Sequence, residues 1–180
     1  MSSHWIDCID AAYRKIDISA FHCEQLKIVL GQYCGFDGRP SIPIQAYFEG
    51  TIVATIAAID QVAQAVNKAL SLGLSSCNLF DGASSEIGRR VPAFNDWREQ
   101  PIGIDLRKLR VRMVHYSYDK SSNGGAKWLV ETANDHYAGA RDLSAYADAA
   151  VAYGRELGVI ADKLKESLAS TAPEDELTTT

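Results

Sequence analysis

Residues 142–169 read DLSAYADAAVAYGRELGVIADKLKESLA. Leu143, Tyr146, Ala150, Tyr153, Leu157, Ile160, Leu164 and Leu168 recur at spacings of three and four, which lines them along one side of an α-helix. A half-buried strand would alternate in twos, and this stretch does not. Asp142 or Ser144 is placed to cap the helix start by accepting a backbone N–H. A helix this amphipathic has to bury its stripe against something apolar, so the segment predicts helices packed on helices.

Working outward, Ile52, Ile56, Ile59, Ala63, Val66 and Leu70 repeat the same spacing inside a helix expected over about 43–72, the pattern of a bundle seam. Alanines surround its first half, which suits a central, tightly packed helix, and Gly73 closes it. Upstream, Ile6, Ile9, Tyr13, Ile16, Ala20, Cys23, Leu26, Leu30 and Tyr33 extend a stripe over about 3–33, and the run CGFDGRP at 34–40 stops it. From 75 to 100 the glycines, serines and Pro92 read as loop, with short helical turns around Glu86–Arg89 and Phe94–Trp97. A shorter helix is expected over about 103–118, and the run DKSSNGG at 119–125 as a loop. The sum is an all-α, up-and-down bundle of about four main helices in one domain spanning 1–170, with an acidic, Thr-rich mobile tail at 171–180.

Of the 180 residues 47% are hydrophobic and 23% charged, an ordinary globular balance. The net charge of −5 gives a whole-molecule field that repels nucleic acid, so binding RNA would need a local basic patch. Charged and polar residues from Glu49 to Lys68 interrupt the most apolar stretch and argue against a membrane span. No basic-then-apolar leader opens the sequence. Cys8, Cys23, Cys34 and Cys77 lack C-x-x-C spacing and are too sparse for a disulfide framework. Reduced thiols and a cytoplasmic setting are therefore expected. His4, His22 and His136 show no metal-ligand spacing, and Trp5, Trp97 and Trp128 read as packing anchors.

Between Arg98 and Lys120 stand six basic residues, Arg98, Arg107, Lys108, Arg110, Arg112 and Lys120, against Glu99, Asp105 and Asp119. That local excess of three positive charges is where a phosphate would bind, though from charge alone a solvated helix face is the favoured reading. On a helical wheel Ile102, Leu106, Leu109, Met113 and Tyr116 form the apolar side, with Lys108, Arg112, His115 and Asp119 opposite. Arg110 lies roughly 140° from His115 around the axis. The two converge only if the arginine wraps round, the helix is distorted, or two copies of the helix meet.

Arg110-Val111-Arg112-Met113-Val114-His115, with Leu106, Arg107 and Leu109 before it and Tyr116 after it, resembles the Arg-x4–6-His signature of HEPN domains. The motif covers about ten residues; the likeness in architecture covers most of the chain. The resemblance implies a small helical bundle that works as a homodimer. In many members it is a metal-independent endoribonuclease of toxin–antitoxin, phage-defence or RNA-processing systems, with a possible antitoxin or regulatory protein as partner. Others are noncatalytic binding or dimerisation modules, and the remaining alternative is a structural helical protein in which the Arg-x4-His spacing is coincidence. Carried onto this chain, it implies Arg110 and His115 as catalytic residues, with Arg107, Lys108, Arg112 and Tyr116 contacting RNA phosphates and no cofactor or metal. Val111 stands where members often carry a polar residue after the motif arginine, and Ser117 where the toxin subgroup tends to carry tyrosine.

Overall fold

The computed structural model describes residues 4–32, 42–75, 79–115 and 143–170, with the side chains of 42, 45 and 109–115 outside that description. The expected 34–40 and 119–125 loops, Asp142, Tyr116, Cys34, Cys77 and the 171–180 tail lie outside the described residues. Six helices are described: α1 (His4–Gln32), α2 (Ile42–Leu70), α3 (Leu79–Arg90), α4 (Ala93–Arg98), α5 (Pro101–His115) and α6 (Leu143–Ala169). Among the described residues there is no strand, and the molecule is an all-α helical bundle.

The centre is a three-helix layer of α1, α2 and α6. Helix α1 runs antiparallel to α2, and a buried hydroxyl cluster holds the two in register. Ser19 Oγ lies 3.1 Å from the Thr51 carbonyl and 2.7 Å from Thr55 Oγ1, and Thr55 Oγ1 donates to the same carbonyl. Near the next turn the His22 ring sits where a side chain on Gly50 would stand, 2.9 Å from the position of a Cβ there. Helix α1 is also antiparallel to α6. Tyr13 donates to Asp162 Oδ1 at 2.6 Å near one end, and Lys27 Nζ meets Asp148 Oδ1 at 2.7 Å near the other.

The seams expected from the sequence are buried. Tyr146, Ala150, Tyr153, Leu157, Ile160, Leu164 and Leu168 of α6 are in the core, as are Ile52, Ile56, Ile59, Ala63 and Val66 of α2. Helix α2 ends where expected: Gly73 takes φ +67°, and Asn67 brackets Leu74, accepting from its N–H and donating to its carbonyl. Within the described residues, no helix is long and apolar enough to cross a membrane.

The stretch read as loop between 75 and 100 is a correction. Residues 79–90 form a twelve-residue helix, α3, with Leu79, Phe80, Ala83, Ser84, Ile87 and Gly88 buried. Its glycines and serines are small because the packing is close. A Cβ on Gly82 would meet Leu74, and one on Gly88 would meet Asn95. The short turn expected at 94–97 is α4, which turns Phe94 and Trp97 inward.

Candidate functional site

Helix α5 carries the motif, and its first turns fix where it sits. Pro101 occupies the first helical position, where its missing N–H costs nothing. Ile102 and Leu106 are buried on the α2 and α6 side, as the wheel requires. Gly103 is essential to this seat: a Cβ there would collide with the Tyr153 hydroxyl. Tyr153 is itself held, its ring stacked on Trp97 at 4.2 Å, and Trp97 Nε1 donates to the Tyr153 carbonyl at 3.0 Å. Burial pushes the Tyr153 phenol well above its ordinary pKa, while Arg107 acts in the opposite sense. This hydroxyl therefore stays protonated across the physiological range. Trp97 is a packing anchor, as its sequence context suggests.

Helix α5 continues unbroken through the motif to His115. Arg110, Arg112 and His115 stand on this one helix, with side chains outside the described residues, and Tyr116 lies outside them altogether. Along ideal helix geometry, positions 110 and 115 are separated by about 7.5 Å in rise and about 140° in rotation.

Arg107 and Lys108 are described, and they differ. Lys108 is exposed. Arg107 is half-buried, its Nη1 donating to the Arg98 carbonyl at 2.7 Å and its guanidinium 5.9 Å from the Phe80 ring centre. Arg98 approaches the same ring at 5.8 Å, so one phenyl group carries two cations. Asp81 and Glu99 lie 3.7 and 3.8 Å from Arg98, at the outer limit of ion pairing. Arg107 is thus partly a packing residue that ties α5 to α4 and α3, in addition to its charge. The sequence carried no signal for this, because Phe80 lay in the stretch read as loop.

Asp105, one turn below the basic residues, is 1% exposed, a buried carboxylate on the motif helix that residue spacing did not single out. Elsewhere the charges serve packing. The Arg89 and Arg90 guanidiniums hold the Glu86 carboxylate down at about 2, and Arg90 also reaches the Ser167 carbonyl and hydroxyl on α6, at 3.3 Å each. Burial and the Asp148 carboxylate push the Cys23 thiol up to about 11, away from thiolate chemistry. Within the described residues, no three His, Cys, Asp or Glu side chains converge to hold a metal ion.

Comparison of the chain with family models, with curated proteins and with solved structures finds no match. The resemblance to HEPN domains therefore rests on the quoted residues of α5 and on the helical architecture around them.

Proposed function

We propose that this chain is a HEPN-like, metal-independent endoribonuclease that acts on single-stranded RNA as a homodimer, with Arg110 and His115 as its catalytic residues. The observation that carries the reading is the Arg-x4-His motif on an uninterrupted helix of an all-helical bundle, beside the exposed Lys108. The reaction is transesterification. The RNA 2′-hydroxyl attacks the adjacent phosphorus, its proton passes to a base, and the bond to the 5′-oxygen breaks as that oxygen takes up a proton. The products are a 2′,3′-cyclic phosphate and a 5′-hydroxyl. A histidine with an ordinary pKa near 6.5 can move these protons at neutral pH, and an arginine can hold the phosphoryl oxygens as their charge develops. Pairing of two motif helices would bring Arg110 of one copy toward His115 of the other, which answers their separation on a single helix. Arg107, Lys108, Arg112 and Tyr116 then serve as phosphate contacts. Such enzymes of toxin–antitoxin or phage-defence systems are restrained by an antitoxin or regulatory protein, the partner proposed here, in the cytoplasm.

A second reading, a noncatalytic dimerisation or binding module of the same architecture, is favoured by Val111 and Ser117 at the two positions where the motif departs.

The test is a panel of RNAs incubated with purified protein in EDTA, beside His115→Ala matched for folding and oligomeric state. Cleavage leaving cyclic phosphate ends, reduced on the order of 10²–10⁴-fold in the variant, is expected. Arg110→Ala should lose about 2.7–4 kcal/mol of transition-state stabilisation. Equal cleavage by wild type and variant points to another site or a contaminant, and cleavage by neither favours the noncatalytic module.

A further inference from the structure

Six large apolar side chains stand exposed among the described residues, and three of them share one side of α1. Phe21 is 59% exposed, Ile28 50% and Ile18 40%, all on the side of α1 turned away from buried Ile9, Ala12 and Leu26. Val53 of α2 is 50% exposed. The Ser19–Thr51–Thr55 cluster and the seat of His22 on Gly50 set the register of the two helices, and that register brings Val53 level with Ile18. The Phe21 ring meets His22 edge-on at 5.7 Å, and His22 lies 5.9 Å from Tyr47, so an aromatic strip crosses from α1 to α2. Scattered apolar residues on a surface need no explanation, but a contiguous strip marks a contact.

The charges along the strip indicate what it contacts. Arg14 and Glu24, both exposed, bracket Ile18 and Phe21, with Arg14 on the N-terminal side and Glu24 on the C-terminal side. If a second α1 lay antiparallel about a twofold axis between Ile18 and Phe21, Ile18 would meet the partner's Phe21. Arg14 would stand level with the partner's Gln25, one residue (about 1.5 Å of rise) from the partner's Glu24 and within reach of it, and the symmetry would form this pair twice. A parallel arrangement would instead set like charges together. Asp17, also exposed, would stand level with the partner's His22 in this register and not with an acid; Lys27, which binds Glu24 at 3.5 Å, leans to the α6 side to bind Asp148. Two adjacent helices about 40 Å long and about 10 Å across offer a face on the order of 800 Å², the area per partner of a standard interface.

We propose that the α1–α2 face binds a second copy of this chain, antiparallel, with Ile18, Phe21 and Val53 at its centre and Arg14–Glu24 pairs at its rim. This contact does not depend on the ribonuclease reading. It is separate from any pairing of motif helices, because α5 joins the bundle through α6, α2 and α4.

Sedimentation velocity on the full chain tests it, with circular dichroism confirming that each variant is folded. Phe21→Ser with Val53→Ser should weaken the association step made by this face on the order of 30-fold or more, taking a dimer to monomer or, where α5 helices also pair, a larger assembly to dimer. Arg14→Glu alone and Glu24→Arg alone should each weaken it, and an equimolar mixture of those two variants should associate again, because the mixed pair restores both ion pairs. A wild-type monomer at high micromolar concentration overturns the proposal. So does an assembly of the same size in the wild type and in Phe21→Ser with Val53→Ser; a wild-type assembly larger than a dimer that falls to a dimer in this variant means that α5 pairing persists while the α1–α2 contact is lost. If the apolar variant dissociates but mixing restores nothing, the antiparallel register is wrong. RNA cleavage assayed in parallel reports on the α5 reading separately, since none of these four residues lies on that helix.

Discussion

Helices α1 and α6 are nearly the same length, 29 and 27 residues, and both lie against α2, yet they end up with different surfaces. Helix α6 is touched by α1, α2, α3, α4 and α5, and Val159 is its one large apolar side chain left exposed. Helix α1 packs on α2 and α6, and it leaves Ile18, Phe21 and Ile28 in solvent. Periodicity identifies both as helices, but the number of neighbours decides how much of each circumference is covered. Apolar residues beyond that coverage point outward, and on α1 they form a strip.

The difference breaks hardest at two aromatic residues. Tyr153→Ala on α6 removes a ring stacked on Trp97 and leaves a hole beside Gly103, and should cost about 3–5 kcal/mol in urea denaturation. The same truncation on α1, Phe21→Ala, removes a ring that is 59% exposed. In the dissociated chain it should change stability by less than about 0.5 kcal/mol. Similar losses at the two positions would mean that α1 is covered after all.

Between those limits, Gly103→Ala sharpens the account of α6 as the helix on which others seat. The new methyl group has to displace the Tyr153 hydroxyl or push α5 outward, an overpacking cost of about 1–3 kcal/mol. Gly31→Ala in the last turns of α1 meets nothing within 4 Å and should cause no such loss.

A smaller effect should appear with pH where α3 is clamped to the C-terminal end of α6. The folded chain holds Glu86 at about 2, below its ordinary 4.5, because Arg89 and Arg90 bond to the charged form. A carboxylate depressed in this way contributes its full stability above about pH 4.5 and loses it as pH falls toward 2. Glu86→Gln should flatten that part of the stability–pH curve by on the order of 1 kcal/mol, an amount reduced because Arg89 is largely exposed. An unchanged acid limb would show that the clamp contributes nothing.

Much of the bundle was legible because its helices obey one rule at a time. The stripes of α2 and α6 bury the side chains that their three–four spacing nominates, except Leu70 and Leu143 at the ends, which are partly buried, and the expected ends fall within a few residues of those observed. Helix α3 was illegible because Gly82, Ser84 and Gly88 carry two meanings. They break helices in isolation, and they allow close approach when another helix is near; only the presence of Leu74 and Asn95 decides between them. On α1 the stripe from Ile9 to Leu26 accounted for the helix, so Ile18, Phe21 and Ile28 raised no separate question. At the motif, sequence located Arg110 and His115 on one helix and Lys108 on its exposed side. It could not reveal that Arg107 is tied to Phe80 and the Arg98 carbonyl, because those partners are distant in spacing and reside on two other helices.

The notch at Gly103 makes α5 a lever with its fulcrum on α6. From position 103 to position 115 the helix extends about 18 Å, so a tilt of 5° about the notch moves the far end by about 1.6 Å. If Arg110 and His115 carry the proposed cleavage, that displacement would matter, because catalytic geometry tolerates little of that size. The seat of α5 thus depends on a tyrosine that belongs to another helix and carries no part of the signature, and substitution at Tyr153 or Trp97 would tilt the backbone at positions 110 and 115 without altering either residue.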